Sequence, residues 1–283
     1  MGTKRVMNPS KSRRTTLAFW LAITLLVTYS VFPVYWTVLT SLRSDLSIAS
    51  DISVIPRHLT FEQYRKLFGF YDYARQYMNS AIIATVTTLI TMVVSTFVAY
   101  AVARRRFKGR RVLVICMLFS YMFPPLLTLI PLYVLMVQVG LADTRTAVII
   151  SQLAVTMPLG IWLLWGFFDT MPFELEEAAM IDGCSRLGAF LRIILPLAVP
   201  GLITVGIFTF LISWNDFIHA LVMVNSDKIK TLPLGLASQA GSFSSVWGLM
   251  MAASTLIIAP LLVAFLFLNR YFIQGLSGGA LKG

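Results

Sequence analysis

Six stretches of this chain run with at most one charged side chain for as long as a bilayer is thick: residues 17–39, 79–103, 112–137, 147–168, 195–217 and 247–269. A helix of about 20 apolar residues crosses the hydrocarbon layer, and every stretch reaches that length. Composition closes the alternative of a water-soluble core. Hydrophobic residues make up 58% of the 283 and charged residues 12%, where an ordinary soluble domain carries about 25% charge. A soluble globule of this size cannot hide so much apolar surface. A soluble enzyme, a disordered chain and a secreted disulfide scaffold are excluded. The expected class is all-α: a polytopic membrane protein with six transmembrane helices.

The formal net charge is +11, from 23 Lys and Arg against 12 Asp and Glu. In a soluble protein that balance suggests nucleic acid. Here the basic residues flank the apolar runs, where they meet anionic headgroups and fix orientation, so the expected partner is membrane lipid and no nucleic acid. Lys4, Arg5, Lys11, Arg13 and Arg14 sit in the N-terminal tail, residues 1–16. Arg104, Arg105, Arg106, Lys108, Arg110 and Arg111 follow the second run, Arg186 and Arg192 the fourth, and Arg270 and Lys282 lie in the tail 270–283. Most of the basic residues therefore share one side, which places both termini in the cytoplasm. The RRRFKGRR segment reads as a topology anchor. The first run is too long for a signal-peptide core and reads as a retained span. Cys116 lies in a run and Cys184 in a loop, so no disulfide between them is expected. Two long segments fall on the outer side, residues 40–78 with Pro56 and residues 218–246 with Asp227, Lys228, Lys230 and Pro233.

The loop after the fourth run, residues 169–194, reads DTMPFELEEAAMIDGCSRLGAFLRII. Pro172 suits a first helical turn. Glu174, Glu176 and Glu177 stabilise the positive end of the helix dipole. Phe173, Ala178 and Ile181 are expected to share an apolar face, and Gly183 to end the helix in a left-handed conformation. Ser185 to Ile194 forms a second stretch leading to Pro196. The loop is thus a short helix–turn–helix projection. Surface-lying lipid helices are usually basic, so its acidity favours a protein partner over lipid.

Glu177-Ala178-Ala179, then Gly183, then Ile193, Leu195 and Pro196 resemble the EAA signature of membrane subunits of bacterial ATP-binding-cassette importers. Asp182, Phe190 and Pro200 agree with that family; Cys184 departs from its usual small residue. Trp214-Asn215-Asp216-Phe217, Thr231 to Leu236, Met157-Pro158 through Phe168 and Gly275 to Gly283 resemble its carbohydrate branch, the maltose- and trehalose-type permeases. The resemblance implies a type I importer permease fold in the bacterial cytoplasmic membrane and import of a sugar, for example trehalose or maltose. It also implies a second homologous permease subunit, two cytoplasmic ATPase subunits that carry ATP and magnesium, and an extracytoplasmic sugar-binding protein. Glu177, Ala178, Ala179, Asp182 and Gly183 would then form the coupling helix docked on the ATPase, and the glycine-rich tail either contacts the ATPases or frays.

Trp214, Asn215 and Asp216, with His219, are polar groups near the end of the fifth run. They read either as the sugar path or as interhelical and interfacial anchors. No GxxxxGKS/T loop, no HExxH and no Cys/His cluster of metal-ligand spacing occurs in the sequence, and His58 and His219 lie far apart. Neither a bound cofactor, a metal nor a catalytic group is expected in this chain. A secondary transporter would need paired ionisable residues at mid-span, and an intramembrane enzyme a nucleophile or metal ligands there. A phosphorylated glycerol compound is the alternative cargo.

Overall fold

The computed structural model describes residues 9–50, 53–55, 58–70, 72–105, 107–240 and 247–280. Lys4, Arg5, Pro56, Arg106 and the last three residues, Lys282 among them, lie outside these. In chain order the helices are α1 Pro9–Ser41, α2 Asp45–Ser50, α3 Glu62–Phe70, α4 Tyr73–Arg104, α5 Arg110–Tyr121, α6 Pro125–Gln138 and α7 Arg145–Asp169. They continue with α8 Glu174–Ile181, α9 Arg186–Ala189, a π-helical segment Phe190–Ile194, α10 Leu195–Leu197, α11 Val199–Trp214, α12 Ile218–Met223, α13 Leu232–Ala240 and α14 Trp247–Ala280. The described residues include no strand. All six apolar runs fall on helix.

Two of those runs are not single rods. α5 and α6 meet at 91°, where a continuous third span was expected. Pro124 and Pro125 lie at the break, and adjacent prolines remove two backbone donors and push the preceding residue out of the helical region. The fifth run also bends: Arg186–Leu197 and Val199–Trp214 meet at 70°. Pro196 and Pro200 flank that break at Ala198. Among the described residues, the other helices long and apolar enough to cross a membrane are α1, α4 and α7. α1 starts at Pro9, inside the expected tail, and α14 runs on to Ala280, past the expected end of the sixth span.

The chain divides into two compact units, residues 1–71 with 242–256, and residues 72–241 with 257–283. In the first, Leu67 is buried and Gln63 donates from Nε2 to the Arg43 carbonyl (3.1 Å) and Asp45 (2.7 Å). Lys66 sits 2.8 Å from both Asp45 and Glu62, and hydrogen bonds to Asp45 first and then Glu62 hold its ammonium pKa above the usual lysine value. The apolar side chains of α1, such as Leu25 and Tyr29, are largely exposed.

The second unit is built on α4, α7 and α11. Thr87, Thr91, Ser95 and Ala99 recur every four residues along α4, one buried stripe. Gln152, Thr156, Gly160 and Leu164 do the same on α7. Small and hydroxylated residues let the two backbones approach, and the hydroxyls pair across the gap. Thr91 and Thr156 lie 2.9 Å apart, and Thr87 donates to Gln152 at 3.2 Å. A methyl group at Gly160 would stand 2.7 Å from Ser95 Oγ, so the contact requires glycine. Each such interhelical hydrogen bond contributes about 0.6 kcal/mol in a membrane, so the seam rests on their number and on close packing.

The ends of these helices opposite Arg104 are tied by loops. Buried Asn79 donates to the carbonyls of Lys228 (3.0 Å) and Lys230 (2.9 Å) and accepts from Arg145 (2.9 Å). Asp143, at φ +59°, accepts from the Ser226 and Asn225 backbone N–H groups, each at 2.9 Å, and from the Ser226 hydroxyl at 3.1 Å. The Ser226 amide, the largest contribution, holds the Asp143 carboxyl below its ordinary pKa.

Candidate functional site

α8 is fixed at its start by charge and at its end by backbone geometry. Arg104, the last residue of α4, is only 7% exposed, and Glu176 12%. Arg104 Nε donates to Glu176 Oε1. Its Nη1 donates to the carbonyls of Phe168 (3.2 Å) and Met171 (3.1 Å), at the end of α7, and its guanidinium lies 4.5 Å from the Phe173 ring centre. One turn earlier on α4, the Tyr100 hydroxyl donates to Glu176 Oε2 at 2.9 Å. A single guanidinium thus joins α4, the end of α7 and α8. Arg110 also makes defined contacts, to the Ala103 carbonyl (3.1 Å) and Asp169 (3.3 Å). The basic segment is therefore more than an orientation signal: two of its arginines hold the loop.

At the other end of α8, Gly183 has φ +90°. Its N–H meets the Met180 carbonyl at 3.1 Å, and the Cys184 N–H meets the Ala179 carbonyl at 2.9 Å. This paired pattern is a Schellman cap, which needs a residue tolerant of the left-handed region. Ser185 then caps α9 through Oγ, accepting the Gly188 N–H at 3.1 Å. The carbonyl of Phe190 accepts the Leu195 N–H, an i→i+5 bond, so a π segment leads into the bend at Ala198.

Exposure corrects the expected apolar face. Ala179 is 3% exposed and faces inward, while Ile181 is 85% exposed and Ala178 is exposed. The helical period explains this. Phe173, Glu176 and Met180 recur at three- and four-residue steps, whereas Ala178 lies five residues from Phe173, on another face. The helix also begins at Glu174, two residues after Pro172. Of the residues singled out from sequence, Glu177, Ala178, Asp182 and Gly183 are exposed and Ala179 supports them from beneath. Beside them stand exposed Ile181, one of the three residues expected on the apolar face, and exposed Leu187, which no motif marks. A rigid projection thus presents carboxylates around bare aliphatic side chains. Behind it lies a cavity of about 330 Å³, lined by Phe97, Tyr100, Arg104, Met180, Leu187 and Phe190 among others.

The second candidate group is differently placed. Trp214 is 2% exposed; its indole N–H donates to the Ile257 carbonyl at 2.9 Å, and its ring meets Tyr77 and Phe210. Asp216 accepts from Gln152 Nε2 at 3.1 Å and lies 2.6 Å from His219 Nδ1. Gln152 Oε1 accepts in turn from Ser213 and Thr87. Asp216 is therefore tied to α7, and Trp214, at the end of α11, to α4 and α14. Asn215 is exposed and donates to the Leu211 carbonyl at 2.9 Å. Gln152, mid-way along α7, joins this network although no sequence motif marked it. Among the described residues no three His, Cys, Asp or Glu converge to hold a metal.

With this geometry in view, the likenesses to known proteins are specific. Residues 92–278, which include the braced loop and Asp216, match the family described as "binding-protein-dependent transport system inner membrane component". The trehalose transport system permease protein SugB of Mycobacterium tuberculosis is 36% identical, over 96% of this chain and 99% of that protein. The trehalose/maltose transport system permease protein MalG of Thermococcus litoralis is 34% identical, over 89% of this chain and 92% of its own length. In fold, the chain superposes with a TM-score of 0.78 and 20% identity on a chain of a bacterial ABC transporter involved in the import of the acidic polysaccharide alginate. That match covers 96% of this chain and 99% of the other. The chain is a multi-pass membrane protein and belongs to the family of binding-protein-dependent transport system inner membrane components.

Proposed function

We propose that the chain is one permease subunit of an ATP-driven importer and carries a sugar, of the trehalose or maltose kind, into the cytoplasm. The observation that carries the coupling half of this reading is the exposed Ile181 and Leu187 beside Glu177 and Asp182 on a capped, braced helix. Bare aliphatic side chains with a charged rim suit a protein cleft. A stiff element is what a separate motor needs in order to move a membrane helix. α8 is the docking helix, with Glu177, Ala178, Asp182 and Gly183 toward a cytoplasmic ATPase and Ala179 packed behind them. ATP and magnesium are held by the two ATPase subunits, and hydrolysis occurs there and not in this chain. A second homologous permease completes the gate, and an extracytoplasmic binding protein delivers the sugar. With six crossings both termini lie on one side, and the excess of Lys and Arg there supports its being the cytoplasm.

The cargo assignment rests on the sugar-transporting relatives. Within the path, Asn215 is exposed, and its side-chain oxygen is the group offered to a hydroxyl. Trp214 and Asp216 shape the wall, their polar atoms being held by Ile257, Gln152 and His219.

The test is a photo-cross-linker in place of Ile181, in the complex assembled with its ATPase and partner permease. Capture of the ATPase, together with uptake of radiolabelled trehalose or maltose by the same complex in proteoliposomes, supports the reading. A cross-linker that captures only lipid or this chain refutes the docking role. A docked complex that carries neither sugar refutes the cargo.

A further inference from the structure

Besides the short link of residues 170–173 back to α7, displacement of α8 has two routes into the bundle. One is the forward covalent chain: α9, the π segment, the bend at Ala198 and then α11. The other is the buried contact of Glu176 with Arg104 and Tyr100, which leads directly to α4 and the end of α7. The covalent route is indirect. It passes through a π segment and a 70° break between Pro196 and Pro200, neither of which has an N–H to give to the helical ladder. The second route is stiff. Removing one partner of a buried ion pair leaves an uncompensated charge, so the pair resists separation. Arg104 is held further by two carbonyls and the Phe173 ring, and Tyr100 occupies the other carboxylate oxygen.

We propose that Arg104, Glu176 and Tyr100 form a brace that carries the movement of α8 to α4, and with it to α7 across the Thr91–Thr156 seam. These are positioning residues: they touch neither ATP nor sugar, and they set which span answers the motor. The proposal rests on α8 being the docking helix and adds to it the route of the force. Glu176, by this account, faces the bundle and takes no part in ATPase binding, unlike its neighbour Glu177.

The test uses the complete complex in proteoliposomes, with Cys116→Ser and Cys184→Ser in the background. An environment-sensitive fluorophore is attached at Met78→Cys, an exposed site at the end of α4 remote from Arg104. ATP is expected to change its emission in the otherwise unaltered complex. Arg104→Gln and Glu176→Gln are each expected to cut that change about tenfold, within the range of ordinary coupling between sites. Co-purification of the ATPase stays at the parent level. The double variant loses no more than either single, because the pair acts as a unit. Tyr100→Phe deletes one hydrogen bond and keeps the ion pair, so it folds and shows a smaller loss. Full response in both Gln variants with the ATPase bound overturns the proposal. So does loss of the ATPase from the Glu176→Gln complex alone, which makes Glu176 a docking residue. A parent complex that never holds the ATPase defeats the docking reading itself, and this proposal with it.

Discussion

Replacing Gly183 separates a backbone requirement from a steric one. The residue stands at φ +90°, and no atom lies within 4 Å of where its Cβ would be. A side chain there meets open space, so the penalty is conformational: about 1–2 kcal/mol for an L-residue in the left-handed region. That energy opposes the Schellman cap, and through it the fixed end of α8. If the ATPase binds the capped form, a penalty of 1–2 kcal/mol reduces the competent fraction and weakens apparent affinity by up to about 5–30-fold. The expected order follows left-handed tolerance: Gly tightest, then Asn, then Ala, with Val weakest. The assay is titration of purified ATPase onto the permease pair in nanodiscs by thermophoresis. Insertion of the pair stays unchanged, and its thermal stability falls by no more than that penalty, since Gly183 is exposed and unpacked. Ala binding like wild type while larger Asn fails would refute the reasoning, because size and not backbone would then govern the position.

Five further outcomes follow. Gly160→Val forces a Cβ against Ser95 Oγ and should lower stability by about 1–3 kcal/mol as overpacking does. Gly166→Val, at a position with nothing within 4 Å, should leave the melting temperature close to wild type. Asp143 has a folded pKa below its unfolded one, so its stabilisation is present above the unfolded value and disappears as pH falls through the folded value. Asp143→Asn should therefore lower the melting temperature at pH 7, with a deficit that begins to shrink as pH falls through the unfolded value of about 4 and vanishes only below the lower folded value, where the wild-type carboxyl is protonated too. Trp214→Phe removes the donor to the Ile257 carbonyl and should cost about 1 kcal/mol of stability, whereas Asn215→Ala should spare the melting temperature and reduce sugar uptake.

Much of the fold is legible in sequence because a bilayer admits so few backbone solutions. An apolar run of sufficient length in lipid must be helix, and each of the six runs is. Windowed hydropathy has no direction in it, so the 91° turn at Pro124-Pro125 and the 70° turn at Ala198 escape it, although tandem and paired prolines were the available signal. In the docking loop, Gly183 is readable because the left-handed cap singles out one residue type. Arg104 is not, because its role depends on what faces it. Arg104 and Arg105 are equivalent as charges in a basic segment, yet one is buried on Glu176 and the other exposed. The i,i+4 pair Tyr100 and Arg104 shares a helix face, but its partner lies more than seventy residues away and no local pattern announces it. Likewise Glu176 and Glu177 are neighbours in sequence, about 100° apart around the helix, and Glu176 is held by Arg104 while Glu177 is exposed.

Hydrogen–deuterium exchange on the permease pair, with and without the ATPase, tests the docking of α8 most directly. The account predicts protection of residues 174–187 when the ATPase is added, with the Cys184 amide, already capped by Ala179, changing less than the amides of the exposed first turn. Unchanged exchange across residues 174–187, with protection appearing only in another loop, would contradict it.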